Sequence, residues 1–205
     1  MKYTHVVFDI DGTLIDSEKA VLLALQKTLS EVEGKIYPLE ELRFSFGIPG
    51  EDALKQLNVK DIDYCNRICN EREADYSYTI NLFDGIQSTL SKLQAQGVSL
   101  GIITSRTKEE FQNGFAPFGI ADFFDLVVCA EDTAEHKPSA EPMLKYLELA
   151  DAQKKDVLFI GDSVYDWKCA KGAGVDFGLA LWGCLSSEGI YPTAALKKPE
   201  SILDL

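Results

Sequence analysis

The chain has 205 residues, is 46% hydrophobic and carries a formal net charge of -13. That is enough apolar material for one large domain or one domain with an insert, while the acidity excludes nucleic-acid binding as a default, since a phosphate backbone needs clustered Lys and Arg. Five cysteines, an odd number, give no disulfide framework, and no apolar run approaches the ~18 residues of a membrane span.

The sequence begins directly on a strand-like run with no basic-then-apolar leader pattern, so a soluble, cytoplasmic chain is expected, as a monomer or weak homodimer without membrane or nucleic-acid partners. A small phosphorylated ligand remains compatible with the acidity, because one metal ion and one or two local cations suffice to hold it. The first run, 4–9, ends in Val6-Val7-Phe8-Asp9-Ile10-Asp11-Gly12-Thr13. Alternation along an extended chain sends Asp9 and Asp11 to the same side. Two like charges so close need a cation or a shared proton. Gly12 marks a tight turn.

Residues 16–80 read as helical throughout. Val21, Leu22, Leu25, Leu29 and Val32 form one amphipathic face, and further helices are expected at 39–45, 50–56 and 61–77. No strand signal returns before Val98. This is an insert following the Asp9–Asp11 loop, expected to stand over it as a lid that excludes water and selects substrates; the plainer alternative is a helical layer on a sheet. Cys65 and Cys69 lie one turn apart, with no His or further Cys nearby to complete a zinc motif. They read as small buried hydrophobes.

Beyond the insert, strands and helices alternate. Residues 84–96 space Ile86, Leu90 and Leu93 as a helix, and 98–103 is a strand followed by Thr104, Ser105 and Arg106. A hydroxyl with the open N–H groups of a following helix makes an anion site, although Ser and Thr there are commonly caps. Thr107 and Glu110 have capping-box spacing ahead of Phe111 and Phe115. Strand 125–129 leads to Ala134-Glu135-His136-Lys137-Pro138 and a helix over 140–149, where Pro142 is tolerable in the first turn. Strand 157–160 runs into Gly161-Asp162-Ser163-Val164-Tyr165-Asp166, a second acidic pair one helical turn apart, with the option that Asp162 or Ser163 is simply an N-cap. Helix 164–172 would close at Gly174. Strand 175–180 follows, then a loop at Ser186–Gly189 and a short terminal helix at Ala194, Ala195 and Leu196.

Short runs rich in Val, Ile, Leu and Phe, separated by helices, predict an α/β fold: a Rossmann-like three-layer sandwich with a parallel sheet. Its core would span 1–15 and 81–205, with an all-α insert at 16–80. Ligands of such sheets bind at the carboxyl ends of the strands. The acidic pairs, the hydroxyl and the lysine all occupy that edge.

The order and local strings of these groups resemble the haloacid dehalogenase-like superfamily of phosphohydrolases. Asp9-x-Asp11-Gly12-Thr13-Leu14 matches its first motif, Thr104 stands at the second, Lys137-Pro138 at the third and Gly161-Asp162-Ser163-x-x-Asp166 at the fourth. The resemblance covers nearly the whole chain, including the place of the helical insert. It implies a Mg²⁺-dependent phosphatase in which Asp9 attacks phosphorus and forms an aspartyl-phosphate, and Asp11 trades protons with the leaving group and then with water. It further implies that Asp9, the main-chain carbonyl of Asp11, and Asp162 hold Mg²⁺, while Asp166 binds a metal water or orients Lys137. Thr104 and Lys137 would grip phosphoryl oxygens, beside the Ser105 and Gly12 N–H groups. Arg43 and Arg106 are the candidates for contact with the rest of the substrate; His136 stands where relatives often have Gly and has no assigned role.

Asp11 separates the chain from the dehalogenase members, which lack this acid, and from the P-type pumps, which have Thr there. The helical insert is similar to that of the group containing phosphoglycolate phosphatases, pyrophosphatases, β-phosphoglucomutases and sugar-phosphate phosphatases, and Arg43-Phe44-Ser45-Phe46-Gly47-Ile48-Pro49 resembles the loop of its first two members. The mutases commonly carry a His soon after the first motif, and Leu14–Ala20 has none. The expected activity is therefore hydrolysis of a small phosphorylated metabolite such as phosphoglycolate, with mutase or pyrophosphatase activity as the alternatives and an inactive binding protein as a remote one.

Overall fold

The apolar run His5-Val6-Val7-Phe8 forms strand β1 (His5–Phe8) in the computed structural model, which describes residues 2–205. β2 (Ile15–Asp16) follows. Next come four helices: α1 (Glu18–Thr28), α2 (Leu39–Leu42), α3 (Gly50–Gln56) and α4 (Ile62–Glu73). β3 (Asn81–Leu82) precedes α5 (Ile86–Ala95), β4 (Ser99–Ile103), α6 (Lys108–Glu110) and β5 (Leu126–Val128). The chain continues through α7 (Glu141–Leu149), β6 (Val157–Gly161), α8 (Val164–Ala173), β7 (Asp176–Ala180) and β8 (Ala194–Leu196). Two compact units result, Met1–Ile15 with Leu82–Leu205, and Asp16–Asn81.

In the first unit the sheet runs β5-β4-β1-β6-β7-β8 with every neighbouring pair parallel. β1 lies inside it because its side chains are apolar on both faces: Val6, Val7 and Phe8 are fully buried. The chain fills one side of β1 with β4 and β5, then crosses to β6, β7 and β8. That reversal opens a crevice at the carboxyl ends of the strands flanking β1. Register fixes what lines it. Phe8 sits level with Ile102 and Ile160, so Asp9, Thr104 and Asp162 emerge within a residue or two of one another's level.

The core below this edge includes Val7, Ile103, Met143, Tyr146, Phe159 and Phe177. Tyr146 of α7 packs on Gly101 so closely that a Cβ there would come within 2.2 Å of the ring, and its hydroxyl lies 3.3 Å from His5 Nδ1. Thr107 and Glu110 form the expected capping box, and Gly174 ends α8 in the left-handed region at φ 76°.

The last three apolar residues overturn the expected terminal helix. Ala194, Ala195 and Leu196 extend the sheet as β8, paired with Gly178, Leu179 and Ala180. Three residues between Pro192-Thr193 and Lys197-Lys198-Pro199 are too few to repay helix nucleation, whereas a parallel edge satisfies them residue by residue.

The second unit is all helical between its ends. Leu22, Leu25 and Leu29 of the first amphipathic face pack with Leu42, Leu54, Val59 and Cys65. Asp61 caps α4 by accepting from the Tyr64 N–H at 3.1 Å. Cys65 is a packed hydrophobe here, and all five thiols are free. The predicted helix at 61–77 is α4 followed by tighter turns over Ala74–Thr79. No helix among the described residues is long and apolar enough to cross a membrane.

Gly101→Ala forces a methyl into the Tyr146 ring. It is expected to lower stability by about 1–3 kcal/mol, the usual range for overpacking, read as a lower urea midpoint at unchanged slope. An unchanged midpoint would contradict the packing described for this layer.

Candidate active site

Four charged side chains meet at the carboxyl edge, all nearly excluded from solvent: Asp9, Asp162, Asp166 and Lys137. Lys137 Nζ donates to Asp9 Oδ1 at 2.7 Å and to Asp166 Oδ1 at 2.7 Å. Asp166 is fixed from its other oxygen, since Ser163 donates to Oδ2 from its main chain at 3.1 Å and from Oγ at 2.6 Å. Ser163 is thus the cap of α8, and its capping box with Asp166 aims that carboxylate at the lysine. Asp162 is no cap; its Oδ1 accepts from the Thr13 hydroxyl at 3.1 Å.

One oxygen from each of Asp9, Asp162 and Asp166 lies within 4.8 Å of the others. Three carboxylates facing one ammonium leave two negative charges uncompensated in a buried space. Burial is the largest cause that drives the Asp9 carboxyl up, to about 7; Lys137 opposes the rise and Asp166 adds to it. Asp162 is pushed well above the usual carboxylate range, again by burial first and then by its two acidic neighbours. Burial works against the charge on Lys137, but Asp166 and Asp9 outweigh it and raise its pKa. The donor set is all oxygen, with no thiolate or imidazole, and short by two positive charges. It fits one hard divalent cation.

Asp11 sends its carboxylate elsewhere. Arg106 Nε donates to Asp11 Oδ2 at 2.7 Å and Nη2 to Oδ1 at 2.6 Å, a bidentate pair. The Arg106 N–H donates to Thr104 Oγ1 at 3.1 Å and its carbonyl accepts from Ala130 N–H at 2.9 Å. Thr104 is buried, and since its oxygen accepts here, its O–H remains able to donate. A Cβ on Gly114 would lie 2.8 Å from Arg106 Nη1, so a glycine leaves the guanidinium its room.

The remaining expected site residues divide. Gly12 has φ 78°, and a Cβ there would meet the Asp162 carboxylate at 2.4 Å, so the turn and the acid both require glycine. The Gly12 N–H, expected to face a phosphoryl group, donates instead to the Ile15 carbonyl at 2.9 Å, because it closes the turn that follows Asp11. Ser105 and His136 are exposed on their loops. Arg43 belongs to the second unit, where Nε donates to Glu18 Oε1 at 2.6 Å, with the arginine side chain 54% exposed.

Two residues that sequence reasoning passed over shape the same loop. Trp182 Nε1 donates to the Thr13 carbonyl at 2.9 Å. A Cβ on Gly183 would fall 1.8 Å from the Gly12 carbonyl oxygen, so the backbone after β7 lies directly on the Asp11–Thr13 turn. The Trp182 bond links positions 169 residues apart, and a Trp-Gly pair carries no local signature for it.

A sequence profile described as Haloacid dehalogenase-like hydrolase matches residues 6–180. A phosphoglycolate phosphatase from Aquifex aeolicus is 30% identical over 207 residues, covering 98% of this chain and 95% of that protein. The pyrophosphatase PpaX of Halalkalibacterium halodurans is 26% identical, covering 100% and 97%. Among solved structures, a provisionally assigned phosphoglycolate phosphatase from Lactobacillus plantarum superposes with a TM-score of 0.93 at 31% identity, covering 100% of this chain and 99% of that one.

The raised Asp9 carboxyl predicts a pH-dependent response to divalent cations. Its folded value, about 7, lies above the 3.8 of a free aspartate, so its contribution to stability is present below about pH 4 and lost as pH rises through 7. A divalent cation favours the ionised form and reverses the loss. Added Mg²⁺ is therefore expected to raise the melting temperature more at about pH 8 than at about pH 6, with a smaller gain in Asp9→Asn. A gain that is equal at both pH values would contradict this electrostatic description.

Proposed function

The chain belongs to the haloacid dehalogenase-like hydrolase family and is a phosphatase similar to its phosphoglycolate phosphatase members; on that premise we propose that it hydrolyses a small phosphorylated metabolite, phosphoglycolate being the first candidate, with Mg²⁺ as cofactor. The observation that carries this reading is the division of the two acids of the first motif. Asp9 points at Lys137 within the buried acidic cluster, and Asp11 points at Arg106.

Bound Mg²⁺ would be held by Asp9, Asp162 and the main-chain carbonyl of Asp11, and would supply positive charge facing the transferring phosphoryl group. Asp9 forms the new bond to phosphorus as the bond from phosphorus to the bridging oxygen breaks, and Asp11, having turned from Arg106 and taken up a proton from solvent, delivers that proton to the bridging oxygen. Asp11 then takes a proton from water as the water oxygen attacks phosphorus, which breaks the bond to Asp9 and frees phosphate. Lys137 keeps Asp9 ionised for attack and has a third N–H to offer a phosphoryl oxygen. Thr104 offers its hydroxyl to another. Both oxygens of Asp166 are engaged by Lys137 and Ser163, which supports a role in orienting the lysine. The five free thiols suit a reducing, cytoplasmic setting.

Phosphate release should be screened over phosphoglycolate, pyrophosphate, sugar phosphates and nucleotides, with and without Mg²⁺. Release that requires Mg²⁺ and falls about a thousandfold or more in Asp9→Asn is expected. Undiminished release from that variant would remove Asp9 as nucleophile, and isomerisation of a sugar phosphate without net release would identify a mutase.

A further inference from the structure

We propose that Arg106 reads the charge of the leaving group: it holds Asp11 in the resting enzyme, and a leaving group that bears its own carboxylate or phosphate takes the place of Asp11 on the guanidinium and sets Asp11 free to act. This inference rests on the phosphatase reading above.

Both Asp11 oxygens accept from Arg106, at 2.7 and 2.6 Å. An acid engaged on both oxygens cannot also reach the bridging oxygen of an ester, so Asp11 has to turn away from Arg106 before the bond to phosphorus breaks. Its departure is opposed. The Arg106 side chain is only 12% exposed, and withdrawing a bidentate anion from a largely buried guanidinium is unfavourable unless another planar or tetrahedral anion replaces it.

The arginine is held in position for such an exchange. Its main chain is tied to Thr104 Oγ1 and to Ala130, and its head lies over Gly114, where no side chain intrudes. Thr104 is the residue proposed to grip the phosphoryl group, so the guanidinium stays near that group while its carboxylate partner changes. Since Asp11 must pass from Arg106 to the leaving oxygen by turning its own side chain, that oxygen has to lie within a side chain's reach of the guanidinium, and an anionic group a few bonds beyond it can meet the fork. A neutral alkyl leaving group offers nothing to replace Asp11. The preferred substrate class is then a phosphate ester or anhydride whose leaving group carries a second anion close to the bridging oxygen. Recognition by a fork also separates Arg106 from a lysine, which offers a point charge.

The test compares a matched pair of esters, phosphoglycolate and ethyl phosphate, on the Mg²⁺-loaded wild type, Arg106→Gln and Arg106→Lys. Wild type is expected to turn over the anionic ester about 10- to 100-fold faster in kcat, the value of a charge-assisted pair. In Arg106→Gln that ratio collapses toward one, through gain on ethyl phosphate, for which Asp11 no longer has to leave a guanidinium, and Arg106→Lys falls between. A wild type indifferent to the second anion, or equal losses on both esters in Arg106→Gln, would overturn the proposal and leave Arg106 as a support for Asp11 alone. A wild type that releases phosphate from no ester would instead overturn the phosphatase reading, which needs no variant to see. Should Arg106→Gln fail to fold, calorimetry with Asp11→Asn in chelator decides. Arg106 has there lost its internal competitor, so phosphoglycolate binds about 10-fold tighter than to wild type while ethyl phosphate is unchanged. Equal affinity of the two proteins for phosphoglycolate would overturn the exchange.

Discussion

Lys137 between Asp9 and Asp166 is the interaction on which the site depends. One buried ammonium donates to two carboxylates at 2.7 Å each, with Asp162 completing the acidic group. In water such a pair contributes little, but at this depth removing one partner strands a charge and costs about 3–5 kcal/mol. The lysine therefore fixes the loop before α7 to the end of β1 and to the first turn of α8. It also leaves the cluster short of positive charge by the amount one divalent ion carries.

The scaffold is arranged to hold that cluster still. Parallel register places the ends of β1, β4 and β6 together, and small residues then admit the charged groups. Gly12 makes room for the Asp162 carboxylate, Gly161 for Asp166 and Gly183 for the Gly12 carbonyl. Each is a position where a single methyl would displace an acid or the turn that carries Asp9 and Asp11. Ser163 and Thr13 supply short donors that set the rotamers of Asp166 and Asp162. The two acids of the first motif, two residues apart, thereby have different partners and can take different roles.

Much of this was legible in the chain itself, for physical reasons. Five strands announced themselves as apolar runs buried on both faces, and Thr107–Glu110 has the spacing a helix start requires. The acids, Thr104 and Lys137 stood at strand ends, where a parallel sheet presents its ligands. What stayed hidden depends on distance or on competition. β8 is a strand only because β7 offers an edge to Ala194–Leu196. The Gly12 N–H is diverted from a phosphoryl group by the Ile15 carbonyl within its own turn. Arg106 was legible as a cation beside Thr104, but not as the partner of Asp11, 95 residues away. Trp182 and Gly183 gave no local sign that their backbone would lie on the Asp11–Thr13 turn.

The central claim is that Lys137 and a bound cation hold Asp9 ionised as the nucleophile. Its most direct test is chemical. The wild-type enzyme is mixed with phosphoglycolate and Mg²⁺, quenched in acid within the first turnover and mapped by peptide mass spectrometry. The account predicts phosphate on the peptide containing Asp9, assigned to that side chain and absent when Asp9 is replaced. Phosphate on another residue, or turnover with none ever found on Asp9, would contradict it.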